Sequence, residues 1–256
     1  MRSELYTAAQ GLIARQLELD AASNNLANIN TTGFRKTTPF FRTLNLALED
    51  GPRNPLNGAT NNQPVAGGIF IHSEQGAIRQ TGNNLDLAIQ GEGFFKLNTP
   101  FGPRFSRNGQ FTIRPNGAEA NRATLVTQAG YEVLGRNGNP ITLNPNARDL
   151  VIDRSGRVYQ EQNEVGRIAL VTFQDKAALV PEENNLLANL DPQAVEVNVE
   201  QPQGEMNQRS LEMSNVNVAQ EMMRLIEMQR AYEMNTRSIK TIDAQNDRAI
   251  QSLGPR

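Results

Sequence analysis

Apolar residues at the two ends of this chain recur every seven positions, while those in its middle recur every two. Leu5, Leu12, Leu19 and Leu26 share one heptad position, and Ala8, Ala22 and Ile29 fall three residues after three of them. Such a repeat keeps one narrow stripe of a helix apolar, the seam along which helices pair. Val218, Leu225, Tyr232, Ile239 and Leu253 form a second series, interrupted by Asn246 and flanked by Met222, Met228, Ile242 and Ile250. Residues 4–30 and 217–253 are therefore expected to be helical. Ser3 and Asn217 are the expected N-caps, Asn217 with Gln220 in the form of a capping box. Gly33 and Gly254-Pro255 are the stop signals. At about 1.5 Å per residue the helices would span about 40 and about 54 Å.

Between them the period changes. Leu85, Leu87 and Ile89 alternate with Asp86 and Ala88, Phe94 to Leu97 is a short apolar run, and Phe111 and Ile113 alternate again. Asn-Gly pairs at 108–109, 116–117 and 137–138 signal hairpins, with Ser155-Gly156 a weaker fourth signal. Residues 69 to 175 read as an antiparallel β domain; residues 176–213 are ambiguous, with a strand expected around Ala194 to Val199. Residues 37–68, with Pro39, Pro52, Pro55, Pro64 and clustered Asn and Gly, read as loop or extended linker. The expected fold class is α+β: N- and C-terminal helices forming a coiled coil, with an inserted antiparallel β domain of short strands. The domains are then an N-terminal helix at 1–34, a linker at 35–68, a β-rich domain at 69–213 and a C-terminal helix at 214–256.

The chemistry of the chain excludes more than it assigns. With 25 basic and 27 acidic residues spread along the chain, no field draws in nucleic acid, and no nucleic-acid partner is expected. No apolar run approaches the roughly 20 residues of a membrane span, so no membrane insertion is expected. Glu4, Arg15, Glu18 and Asp20 break the N-terminal stretch where a signal peptide needs continuous apolar residues. If the chain leaves the cytoplasm, another route is expected to carry it. The absence of Cys removes disulfides and thiolate metal sites, and His72, the sole histidine, reads as a strand residue rather than a base. GEGFFK lacks the third Gly of a dinucleotide fingerprint. No catalytic, cofactor-binding or metal-binding residue is assigned, no cofactor is expected, and the chain is not expected to be an enzyme. The alternative is a cell-wall glycan binding or hydrolysing β domain with coiled-coil ends, for which Asp86, Glu92, Asp149 and Asp153 are the candidate carboxylates. A soluble coiled-coil adaptor is a third reading.

Four segments carry a resemblance: SNNLANINTTGF at 23–34, NLDLAIQGEGFF at 84–95, FSRNGQF at 105–111 and SNVNVAQEMMRLIEMQRAYEMNTRSIKTID at 214–243. They resemble the flagellar basal-body rod and hook proteins of bacteria, within them the FlgF and FlgG type rod subunits. The resemblance implies a structural subunit whose terminal helices form the inner coiled-coil core of a helical tube, with the β domain projecting outward and torque passing along the tube. It implies further copies of the chain, neighbouring rod and hook axial proteins and the flagellar type III export apparatus as partners, and the basal body as location. The brevity of residues 37–68 favours the proximal type and QRAYE the distal type; the balance leans slightly to the proximal.

On that reading Leu5, Leu12, Leu19, Leu26, Val218, Leu225, Tyr232 and Ile239 supply the apolar area of a subunit interface. Asn24, Asn25 and Asn28, within a tract of four Asn in seven positions, supply its register. A slipped helix would leave such buried amides unsatisfied at roughly 1–3 kcal/mol each. Asn215, Asn217, Gln229 and Arg230 complete the expected interface set. The competing reading is that the Asn tract only caps the helix before Gly33.

Overall fold

In a computed structural model, which describes residues 2–44, 63–117, 121–147, 149–173, 178–189, 196–198 and 204–253, the heptad segments are helical and the alternating segments extended. In chain order, helix α1 (Arg2–Ala27) precedes strands β1 (Thr37–Leu44), β2 (Gln63–Ile71), β3 (Ile78–Gln80), β4 (Leu87–Gly91), β5 (Phe94–Thr99) and β6 (Gly102–Ser106). Next come β7 (Phe111–Pro115), β8 (Ala123–Thr127), β9 (Glu132–Val133), β10 (Thr142–Leu143), β11 (Leu150–Ile152), β12 (Arg157–Gln160), β13 (Asn163–Arg167) and β14 (Leu170–Phe173). Strands β15 (Leu179–Glu182), β16 (Leu186–Asn189), β17 (Glu196–Asn198), β18 (Gly204–Gln208) and β19 (Ser210–Glu212) lead to helix α2 (Val218–Leu253). The class is α+β, and the chain divides into a helical unit (Met1–Ala27, Thr37–Phe70, Asn217–Arg256) and a β unit (Asn28–Lys36, Ile71–Val216).

In the helical unit α1 packs against α2 and against β1. The helices run antiparallel: Gly11 faces Asn235, and one turn further along α1 the Arg15 guanidinium reaches the Met228 sulfur at 3.7 Å. Helix α1 is already formed at Arg2, so Ser3 lies inside it rather than at its cap, and it ends at Ala27, short of the expected residue 30. The cause of that early stop is local. Asn28 and Thr31 bond each other through side chains and through a backbone turn, the competition by which Asn and Thr leave a helix. At the start of α2, Asn217 Oδ1 accepts the Gln220 N–H at 3.2 Å, the expected cap. Gly254 and Pro255 lie outside the described residues, as do the side chains of Leu5, Ala8, Ile242, Asn246, Ile250 and Leu253.

Within the stretch read as loop or extended linker, Thr37–Leu44 and Gln63–Ile71 are strands that pair with each other. Its prolines at 52 and 55 lie outside the described residues. Pro39 and Pro64 sit within the strands, a placement that a two-stranded ribbon tolerates because both its strands are edges.

In the β unit every described pairing is antiparallel. The large sheet has the order β10-β8-β9-β5-β6-β16-β15, with β7 beside β8, β14 beside β5 and β17 beside β14. Smaller sheets are β11-β12-β13, β18-β4 and β19-β3. Adjacent strand residues face opposite sides, so β5 feeds two cores at once. Phe95 packs with Leu87, Ile89, Leu97, Phe111 and Val133, while its neighbour Phe94 packs with Phe105, Val171 and Phe173. Edge-on ring contacts at 5.0 Å for Phe95 with Phe111 and 4.7 Å for Phe105 with Phe173 fit the pairing aromatic rings prefer.

Three of the four turn signals connect paired segments. Asn116-Gly117 lies between β7 and β8, Asn137-Gly138 turns the chain between the bridged residues Leu134 and Pro140, and Ser155-Gly156 joins β11 to β12. Asn108-Gly109 does not make a hairpin: β6 pairs with β5 and β16, and β7 with β8. Tertiary contacts have taken over both residues. Asn108 Oδ1 accepts from Thr32 Oγ1 at 2.8 Å and from the Gln110 N–H at 3.0 Å. A Cβ on Gly109 would lie 1.7 Å from the Leu87 carbonyl oxygen, so this glycine serves close approach to β4 rather than a turn. The ambiguous stretch at 176–213 contains β15 to β19, with β17 where a strand was expected. His72 lies one residue past β2, half-buried.

Candidate functional site

Along the described part of α1 the deepest burial falls at Ala22 and Asn25, while Leu12, Leu19 and Leu26 are covered only in part. Gly11, Arg15, Ala22 and Asn25, spaced four, seven and three apart, lie on one face, and Ala22 and Asn25 on it are 2% and 1% exposed. Leu12, Leu19 and Leu26 are half-buried, and Ile13 is 61% exposed. In α2, Leu225, Tyr232 and Ile239 are half-buried, while Gln229 and Arg230 are exposed. Val218, Met222 and Ile226 follow one another at every fourth position, and all three are about half exposed, at 48%, 51% and 47%. They form one apolar ridge over the first turns of α2, with Met223 exposed nearby.

The Asn tract divides by residue. Asn24 is exposed and Asn28 half-buried. Asn25 turns its amide to the chain's own backbone: Nδ2 donates to the Thr37 carbonyl at 2.8 Å, and Oδ1 accepts the Thr37 N–H at 2.9 Å. Two-sided bonding of one residue to one backbone unit fixes the start of β1 on α1. Asn215 does similar work in the β unit, where Oδ1 accepts the Lys36 N–H at 2.7 Å and Nδ2 donates to the Glu74 carbonyl at 2.9 Å.

Around Asn215 is a constellation that sequence patterning does not disclose. Glu212, 1% exposed, bonds Arg35 Nη2 at 2.7 Å, Arg107 Nη1 at 3.1 Å and the Gly76 N–H at 2.9 Å. Its backbone carbonyl accepts the Gly33 N–H at 2.7 Å. Gly33 has φ of +66°, and a Cβ there would come within 2.4 Å of the Arg107 backbone, so the segment 28–36 passes only because this residue is glycine. Arg107 also donates to the carbonyls of Gly91 at 2.6 Å and Ile89 at 3.3 Å. Burial, the dominant influence, pushes the Arg107 guanidinium down to about 10, against the raising effect of the Glu212 charge. Arg35 is lowered for the same reason. These groups bind the inbound segment 28–36 to the outbound segment 210–216 of the β unit. The three charged residues are distant in sequence, and the one available signal was that each lies in or beside a segment carrying the resemblance.

Asp86 is 5% exposed and accepts from Asn83 Nδ2, and Asp153 Oδ1 accepts from the amides of Ser155 and Arg157 in its own turn. Among the described residues no helix is long and apolar enough to cross a membrane.

The two ends of the chain supply the helices of one unit, and most of the sequence between them forms the β unit. Residues 207–252 match the family described as flagellar basal body rod FlgEFG protein C-terminal, residues 88–160 the flagellar hook protein FlgE/F/G D1 domain, and residues 5–35 the flagella basal body rod protein family. The chain is 34% identical to the flagellar basal-body rod protein FlgF of Caulobacter vibrioides over 99% of both chains. It is 35% identical to FlgG of Borreliella burgdorferi, over 95% of this chain and 96% of that one. FlgF of Rhizobium meliloti is 31% identical over 99% of both. The chain belongs to the flagellar basal-body rod protein family.

Proposed function

We propose that this chain is a structural subunit of the bacterial flagellar basal-body rod, polymerising helically through its terminal helices to transmit torque. The observation that carries the reading is the apolar ridge of Val218, Met222 and Ile226, together with the half-covered seam of Leu12, Leu19 and Leu26, in a family of rod proteins. Covering a half-exposed aliphatic side chain yields roughly 1 kcal/mol, so each contact is weak and many repeated contacts make a stiff assembly. The remaining interface is assigned to Leu5, Asn24, Asn28, Leu225, Gln229, Arg230, Tyr232 and Ile239. Asn25 and Asn215 act one step back, holding the chain's own backbone, while the exposed Asn217 belongs to the interface set. The seams complete a coiled-coil core with neighbouring copies and with other rod and hook axial proteins, in the basal body, after passage through the flagellar type III export apparatus. A proximal position is slightly favoured by the brevity of residues 37–68. Catalysis has no part in this role.

The test is the combined variant Val218→Ser, Met222→Ser, Ile226→Ser, supplied as the sole copy in cells. The expected result is an exported, folded chain that is missing from purified hook-basal bodies, with swimming lost. Normal incorporation of this variant would overturn the reading, and cleavage or retention of purified peptidoglycan by the isolated chain would favour the glycan alternative.

A further inference from the structure

Two strand edges in the β unit are closed by amide side chains instead of by strands. Strand β11 is an outer strand of its three-stranded sheet, with β12 on its inner side. Successive residues of an antiparallel strand turn their N–H and C=O groups alternately inward and outward. Asp153 donates inward, to the Arg157 carbonyl at 3.0 Å, so Leu150 and Ile152 present the outer edge. Both residues end on one side chain. Gln208 Oε1 accepts the Ile152 N–H at 3.1 Å, and Gln208 Nε2 donates to the Leu150 carbonyl at 3.1 Å. An incoming strand would offer this edge one C=O and one N–H, and the amide supplies the same pair. Nε2 also donates to the Asn84 carbonyl at 2.8 Å, which fixes the amide in this orientation.

The segment under this amide is one that an open edge would make adhesive. Leu150, Val151 and Ile152 are all apolar, two of them are β-branched, none is proline, and Val151 is 53% exposed. A cavity of about 680 Å³, lined by Ile152, Met206 and Gln208 among others, lies beside the amide, so the edge has room next to it. Strand β4 is closed in the same manner. It forms a two-stranded sheet with β18, and on its other side Gln75 Nε2 donates to the Ile89 carbonyl at 2.9 Å while Gln75 Oε1 accepts the Gly91 N–H at 3.1 Å. Here the closure is doubled. Arg107 donates to the carbonyls of the same two residues, and the Gly109 carbonyl accepts the Leu87 N–H at 3.0 Å.

We propose that Gln208 is an edge guard: its amide occupies the place of an incoming strand on β11 and keeps copies of this chain from pairing sheet to sheet. Gln75 does the same on β4, with Arg107 as a second guard. An unguarded strand edge is a template for another chain. On the assembly reading above, closing these edges leaves the terminal helices as the surfaces through which copies join.

The test is Gln208→Met in the purified full chain, which keeps an unbranched side chain of similar length and removes the amide. Hydrogen exchange at the Ile152 amide is expected to quicken about tenfold, and the chain to form aggregates with the infrared signature of intermolecular β-sheet. Association through helices adds no such signature, so the outcome is read apart from the assembly reading. Val158→Ala serves as the comparison, since it hollows the core under β12, where Val158 is 0% exposed, and opens no edge. It is expected to lower the unfolding temperature without producing intermolecular sheet. Adding Val151→Lys to Gln208→Met puts a charge on the opened edge and is expected to abolish the aggregates while Ile152 exchange stays fast. Gln75→Met is expected to act more weakly than Gln208→Met, and an equal effect would overturn the part given to Arg107. Gln208→Met without intermolecular sheet, an equal signal from Val158→Ala, or a double variant that still aggregates would each overturn the guard.

Discussion

The β unit and the helical unit solve the same burial problem in opposite ways. In the β unit Leu87, Ile89, Phe95, Leu97 and Val158 are 0% exposed, and even the chain's passages through it are tied by a buried carboxylate. In the helical unit the deepest described residues on α1 are Ala22 and Asn25, while Ile13, Met223 and Met234 are each 61% exposed. A unit that closes its own core can fold by itself. On the proposed rod role, the large apolar side chains that α1 and α2 leave exposed have their energetic complement in neighbouring subunits. The difference separates what this chain needs in order to fold from what it needs in order to assemble.

That contrast can be broken first at Glu212. Glu212→Ala leaves Arg35 and Arg107 buried as uncompensated cations, at 6% and 5% exposure. It is expected to destabilise the β unit by about 3–5 kcal/mol, read in chemical denaturation followed at the β signal. A loss below about 1 kcal/mol would mean that the clasp does not tie the inbound segment. A smaller effect is expected at Asn25, because Asn25→Ala strands the Thr37 N–H and carbonyl. A loss of roughly 2 kcal/mol should appear as faster hydrogen exchange at the Thr37 amide. Exchange unchanged from wild type would place the start of β1 under other control.

The smallest effect is expected at Asp153. Burial raises this carboxyl, but hydrogen bonds from the Ser155 hydroxyl and from the Arg157 and Ser155 amides, with the nearby Arg157 charge, outweigh it and leave the group below its usual 3.8. The folded carboxyl therefore holds its proton less tightly than the unfolded one. Its stabilising contribution is complete at neutral pH and fades as pH falls below about 4, through the folded value. Asp153→Asn should lower stability by roughly 0.5–1 kcal/mol at about pH 7, with the gap to wild type closing in acid denaturation. A gap that persists unchanged at about pH 2 would show that the turn depends on shape rather than charge.

Periodicity made the two classes of element legible, since a stripe every seven residues and an alternation every two depend only on local geometry. The cap at Asn217 and the turns at Asn137-Gly138 and Ser155-Gly156 were legible for the same reason. Asn108-Gly109 misled because its hairpin signature is local while its role is a contact with β4, far away in sequence. Pro39 and Pro64 suggested a linker, although a paired ribbon with two free edges accommodates them. The clasp of Glu212 with Arg35 and Arg107 left no periodic trace, because ion pairs obey distance in space and nothing along the chain records it.

By itself, the sequence determined that helices would occupy both ends, that short strands would lie between them, and that no cysteine chemistry and no multi-histidine site was on offer. Only the tertiary structure decided which helical face was buried, how Asn25 used its amide, and that one carboxylate would gather two arginines. Period and propensity are properties of neighbours along the chain, whereas burial and hydrogen-bond satisfaction are settled only when distant segments arrive at the same place.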